Sequence, residues 1–132
     1  MNSEIEGIFI DTFFIKEKKD RAKYELSSKK KRRDFVWKIS EKYIRGECLS
    51  KLDGPIESSE SVFKYLVKKG YPKECYVLSI DENIDGKTLP LSTALCQIVG
   101  YGPALILCGY GKLGYLECEQ SQGAPLRFLI KK

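Results

Sequence analysis

The chain has 132 residues, 23 Lys/Arg against 18 Asp/Glu, a formal net charge of +5, and no histidine. That length fits one domain with its own core. The missing histidine excludes Ser-His-Asp and Cys-His nucleophiles, His-ligated metals and the commonest acid–base group.

The charge is segregated. Residues 16–51 hold 14 Lys/Arg and 6 Asp/Glu, a net of +8, while the remainder nets −3. A concentrated positive field attracts anions, whereas a diffuse one mainly keeps a protein soluble. Apolar residues make up 42% of the chain, with 8 Tyr, 6 Phe and 1 Trp, which fits a folded domain and not a disordered one. Met1 to Glu6 lacks the basic and apolar regions of a signal peptide. No apolar run approaches the roughly 18 residues of a membrane span. The expectation is a cytoplasmic protein.

The five cysteines, Cys48, Cys75, Cys96, Cys108 and Cys118, form no CxxC pair, so their spacing does not suggest a structural zinc site. Most of them read as small core residues. Cys108 and Cys118 are candidates to face each other across a hairpin.

In chain order, residues 5–15 are apolar and rich in β-branched and aromatic side chains. They fit a strand, or a helix whose face holds Ile5, Ile8, Phe9, Thr12 and Phe13. Residues 17–26 lack Gly and Pro and read as a charged helix with Ala22 and Leu26 on one face. Ser27-Ser28 interrupts it, and Ser28 is a good N-cap for a helix over 29–44 with an apolar stripe of Val36, Ile39 and Tyr43. Residues 49–57, with Gly54-Pro55, read as a loop. Ser58 or Ser59 caps a helix over 60–69, which Gly70 closes.

Residues 75–80 read as a strand and 81–87 as a turn. Thr88 is placed as the cap of a short helix over 89–99, with Pro90 in its first turn. Residues 104–108 are continuously apolar, as in a central strand covered on both faces. Gly109 to Lys112 turns the chain. Residues 113–119 then alternate, with Leu116 and Cys118 inward and Tyr115, Glu117 and Glu119 outward. A second turn over 120–124 leads to a last strand carrying Leu126, Phe128 and Ile130. The fold expected is α+β: a helical N-terminal half packed on a small, mostly antiparallel β-sheet in the C-terminal half.

Two motifs invite stronger readings. Asp81-Glu82-Asn83-Ile84-Asp85-Gly86 matches the first six positions of a calcium loop, but Ser92 stands where the bidentate Glu belongs. A tight turn accounts for the same residues. Gly109-Tyr110-Gly111-Lys112 lacks the spacing of a phosphate loop; Gly109, Tyr110, Gly111 and Tyr115 match an RNA-recognition octapeptide, but Cys108 and Lys112 stand where its basic residue and a stacking aromatic belong. It reads as a glycine-rich hairpin turn, near which Tyr101, Tyr110 and Tyr115 are candidates for a wet aromatic surface. Trp37 reads as core. None of these stretches makes a catalytic, cofactor or metal site.

Three stretches stand in a familiar order: Phe14 to Arg21 with Leu26 to Arg33; Tyr76 to Ser79 with Asp85-Gly86 and Leu89-Pro90-Leu91; and Gly111 to Tyr115. Together they resemble a family of small bacterial proteins without an assigned activity. The resemblance implies a stand-alone bacterial domain and brings no site residues.

The candidate site is therefore the basic surface. Lys29, Lys30, Lys31, Arg32 and Arg33 are expected as phosphate contacts, supported by Lys16, Lys18, Lys19, Arg21 and Lys23. The function expected is a non-enzymatic binding module for an anionic partner, nucleic acid first. The alternatives are an interaction module of the immunity type that neutralises an acidic protein, and an enzyme built on Cys or carboxylate.

Overall fold

A computed structural model describes residues 2–52, 58–119 and 126–132. Among these, five α-helices and six strands form three layers. The helices are α1 (Ser3–Phe13), α2 (Lys16–Ser27), α3 (Lys29–Lys38), α4 (Ser59–Lys68) and α5 (Leu91–Ile98). The strands are β1 (Leu49–Lys51), β2 (Glu74–Ser79), β3 (Thr88–Pro90), β4 (Ala104–Cys108), β5 (Leu113–Glu117) and β6 (Arg127–Ile130). They make one sheet in the order β1-β6-β5-β4-β2-β3, antiparallel throughout. No helix among the described residues is long and apolar enough to cross a membrane.

Residues 5–13 resolve as helix, while Phe14 and Ile15 turn extended and Phe14 bridges to Ile44. Asn2 caps α1, its side-chain oxygen accepting from Glu4 N and Ile5 N at 3.1 Å, and Glu4 and Glu6 suit the positive end of the helix dipole. Ile5, Phe9, Ile10 and Phe13 then bury one face. Phe9 and Phe13 lie 4.9 Å apart, and Phe14, Phe35 and Tyr43 extend the aromatic cluster. Ser28 Oγ accepts from Lys31 N at 3.4 Å, the cap expected for α3. That helix stops at Lys38, six residues short of the expected end; Ile39 turns extended and a 3₁₀ turn over Glu41–Tyr43 follows.

The sheet separates two cores. On one side α1, α2 and α3 cover Tyr76, Leu78, Leu105, Leu107, Leu116 and Ile130. On the other, α4 and α5 cover Cys75, Val77, Ile106, Cys108, Tyr115 and Leu129. This second cover corrects the expected alternation in β5: Tyr115 and Glu117 are both fully buried, because their face is not solvated but roofed by helices. Glu117 is bound there by Arg127 Nε and Tyr115 OH, each at 2.9 Å, and by Gly100 N at 2.6 Å.

Thr88 does not cap a helix. Residues Thr88–Pro90 extend along β2 as an edge strand, with Tyr76 opposite Thr88, and α5 begins only at Leu91 with Pro90 at its cap position. Proline fits such an edge, where no ladder donor is missed. The expected loop over 49–57 likewise begins as β1, paired to β6; residues 53–57 and the expected turn over 120–124 lie outside the described residues. Cys108 and Cys118 do not face each other. Cys108 is opposite Leu113, whereas Cys118 follows Glu117, whose partner Ala104 is at the far end of β4.

Candidate anion-binding surface

The ten basic residues expected at the surface divide into groups. Arg32 is turned inward and is only 4% exposed. It lies one turn before Val36 and so on the buried face of α3. Its Nη2 stands 2.6 Å from Glu6 Oε2 and its Nε 2.6 Å from Asp85 Oδ2, and Nη1 donates to Glu6 Oε1 and to Leu26 O. Tyr76 OH closes the network by donating to Glu6 Oε2 at 2.5 Å, while Asp85 Oδ1 also accepts from Ser79 N.

Burial alone would lower the pKa of Arg32, but the hydrogen bonds and charges of Glu6 and Asp85 outweigh it and hold the guanidinium above its ordinary value. Burial, with the bond to Glu6, pushes Tyr76 up to about 12. Arg32 thus ties α1, α3 and the turn after β2 together, its donors engaged by Glu6, Asp85 and Leu26 O. Asp81, at the start of the same turn, accepts from Asn83 N at 2.9 Å in the tight turn that the sequence suggests.

Five more of the ten are engaged at the surface. Lys23 pairs with Asp11 at 2.7 Å and Arg21 with Glu25 at 3.1 Å. Lys19 donates to Asp11 O. Lys18 lies over the Tyr43 ring and Lys31 over the Tyr24 ring, 5.2 and 4.7 Å from the centroids. Exposed contacts of these kinds are weak, about 0–1 kcal/mol, so these cations can exchange partners.

Lys16, Lys29, Lys30 and Arg33 are exposed and make no ion pair or side-chain hydrogen bond among the described residues. Two exposed aromatics stand among them: Tyr24 on α2, 59% exposed, and Trp37 on α3, 40% exposed. Trp37 is therefore not core. It sits one position past Val36, about 100° round the helix from the buried stripe, and one turn after Arg33.

Arg33 also reaches the end of the sheet. It lines an open cleft of about 520 Å3 with Asp81, Cys96, Gln97 and Tyr101, and a smaller cavity of about 290 Å3 with Lys29 and Glu82. Of the three tyrosines considered for an aromatic surface, Tyr101 and Tyr110 are exposed and Tyr115 is buried.

The sequence contained a signal for the buried network that composition alone hides. Glu6 falls one turn before Ile10, and Arg32 one turn before Val36, so each places a charge on an apolar stripe. A charge in that position needs a buried partner. The cleft had no such signal, because its lining comes from α3, the turn after β2, α5 and the segment before β4. No family model matches the chain, and no curated protein or solved structure is similar enough to support an inference about it.

Proposed function

We propose that this chain is a non-enzymatic binding module whose α2–α3 surface docks the phosphate backbone of a nucleic acid. One observation carries the reading: Lys16, Lys29, Lys30 and Arg33 stand exposed and unpaired among the described residues, on the same two helices as exposed Tyr24 and Trp37. Cations release condensed counterions when they meet a polyanion, and exposed rings beside them give bases a surface to stack on.

Two further features favour binding over catalysis. Burial pushes the thiols of Cys75, Cys108 and Cys118 up to about 12, away from the thiolate a nucleophile needs. The buried carboxylates Glu6 and Glu117 are each held by an arginine, Arg32 and Arg127.

Fluorescence anisotropy of labelled oligonucleotides across a salt series tests this reading. The expected result is a log affinity that falls with log salt, by about 0.7 to 0.9 per phosphate contact, and a shallower slope when Lys29, Lys30 and Arg33 are neutralised. Absence of binding at low salt, with a nuclease-resistant complex formed on an acidic protein instead, would replace nucleic acid by a protein partner.

A further inference from the structure

We infer that the nucleic acid this surface takes is single-stranded, and that one unpaired base enters the cleft between α3, α5 and the carboxyl end of β2. The inference rests on the basic-surface reading above and adds a second, separate site to it. Four kinds of group converge on the cleft: the Arg33 guanidinium, the Asp81 carboxylate, the Gln97 amide and the Tyr101 ring. Its volume of about 520 Å3 lies within the roughly 300–1,000 Å3 of small-ligand sites.

The mixture of groups selects the ligand. A bare phosphate or carboxylate would meet Arg33 but also the negative charge of Asp81. A nucleotide uses both. Its phosphate suits Arg33, and an exocyclic amino group suits a carboxylate acceptor. Oδ1 of Asp81 already accepts from Asn83 N, and Oδ2 makes no hydrogen bond or ion pair among the described residues. Gln97 is exposed and its amide is likewise unengaged there, so it can donate to or accept from a base edge. Tyr101, 72% exposed, offers an open ring face for stacking.

Arg33 joins the two sites. It lies on the α3 surface one turn before Trp37 and also lines the cleft. A strand following the basic helices therefore passes Arg33 before its next base reaches Tyr101. A duplex keeps its bases stacked and paired and cannot deliver one without the cost of extrusion.

Cys96 gives a direct readout, since it lines the same cleft and is the exposed member of the five thiols. The experiment uses a fluorescein-labelled dC oligomer, whose bases carry the exocyclic amino group, and a labelled duplex of equal length, with anisotropy and the rate of Cys96 alkylation as readouts. The oligomer is expected to bind at least tenfold more tightly than the duplex and to slow alkylation of Cys96. Tyr101→Ala is expected to weaken the single strand about 5- to 150-fold, the effect of losing one base–aromatic stack, without changing the salt slope, and Tyr101→Phe is expected to restore the affinity. Equal binding of both nucleic acids, or single-strand binding that leaves Cys96 alkylation and the Tyr101→Ala affinity unchanged, overturns the cleft assignment while the basic-surface reading stands. Failure of both to bind at low salt removes that reading and this inference together.

Discussion

Arg32 Nη2 and Glu6 Oε2 stand 2.6 Å apart across 26 residues of sequence, both side chains all but excluded from solvent. This pair, with Asp85 on the other side of the guanidinium, is why a residue inside a run of five cations contributes to folding and not to the surface. Replacing Arg32 with Met leaves two carboxylates in the interior without their counter-charge. The expected loss is about 3–5 kcal/mol, read as a lower urea midpoint. Adding Glu6→Met is expected to recover part of that loss, because removing both members of a buried pair is far less costly than removing one. Additive losses in the double variant would show that the pair is not coupled.

The neighbouring position behaves in the opposite way. Arg33 is exposed and unpaired among the described residues, so Arg33→Ala is expected to change stability by less than about 0.5 kcal/mol. Its effect appears in binding, as a salt slope reduced by about 0.7 for a single-stranded oligonucleotide. The Arg32 and Arg33 variants together separate stability from recognition within two adjacent residues. A folded Arg32→Met variant retaining the full slope beside an Arg33→Ala variant that loses part of it would confirm the division.

That division was only half legible from the sequence. Residues 29–33 announce a basic run, and the stripe of Phe35 and Val36 places position 32 on the buried face by simple helical spacing. What the pattern cannot supply is the partner, because Glu6 and Asp85 come from a distant helix and a turn. The same limit explains Glu117 and Tyr115. Period-2 alternation identifies two faces of β5 but not which face is covered, and the covering helices α4 and α5 are separated from β5 by β4. The continuous apolar run of β4 was the clue that both faces are roofed. It applies equally to the strand beside it. The six-strand order, with β1 beside β6, depends on pairing across nearly 80 residues and leaves no local trace.

Gly114 records a close approach between sheet and helix. A Cβ at this position would lie 2.7 and 2.9 Å from two ring atoms of Phe9. Phe9 is buried and wedged against Phe13 and Phe14, so its ring has little room to yield. Tyr71 OH fixes the strand from the other direction by donating to Gly114 O at 2.6 Å. Gly114→Ala is expected to cost about 1–3 kcal/mol, the usual range for overpacking. Phe9→Leu, which removes the clashing atoms, is expected to make the alanine tolerable. A thermodynamic cycle over the two positions should therefore give a coupling well above the roughly 0.3–0.5 kcal/mol of independent sites. An additive cycle would mean the strand shifts instead.

Alkaline pH probes the two cores together. Cys75 and Cys108 lie in the core under α4 and α5, Cys118 and Tyr76 in the core under α1 to α3. All four are pushed up to about 12, chiefly by burial, with Glu41 adding to the shift of Cys118 and Glu6 to that of Tyr76. A raised folded-state pKa means that the native protein retains protons the unfolded chain has already released. Stability from these groups is therefore complete below the unfolded thiol value near 9, and it is lost as pH climbs toward 12. Urea midpoints measured in steps from pH 8 upward should hold steady at first and then fall continuously. Alkylation gives the matching count at pH 8: Cys96 reacts in the folded protein, while the four buried thiols react only after denaturation. Rapid modification of Cys75 or Cys108 without denaturant, or stability that rises above pH 9, would contradict the burial of those thiols beneath α4 and α5.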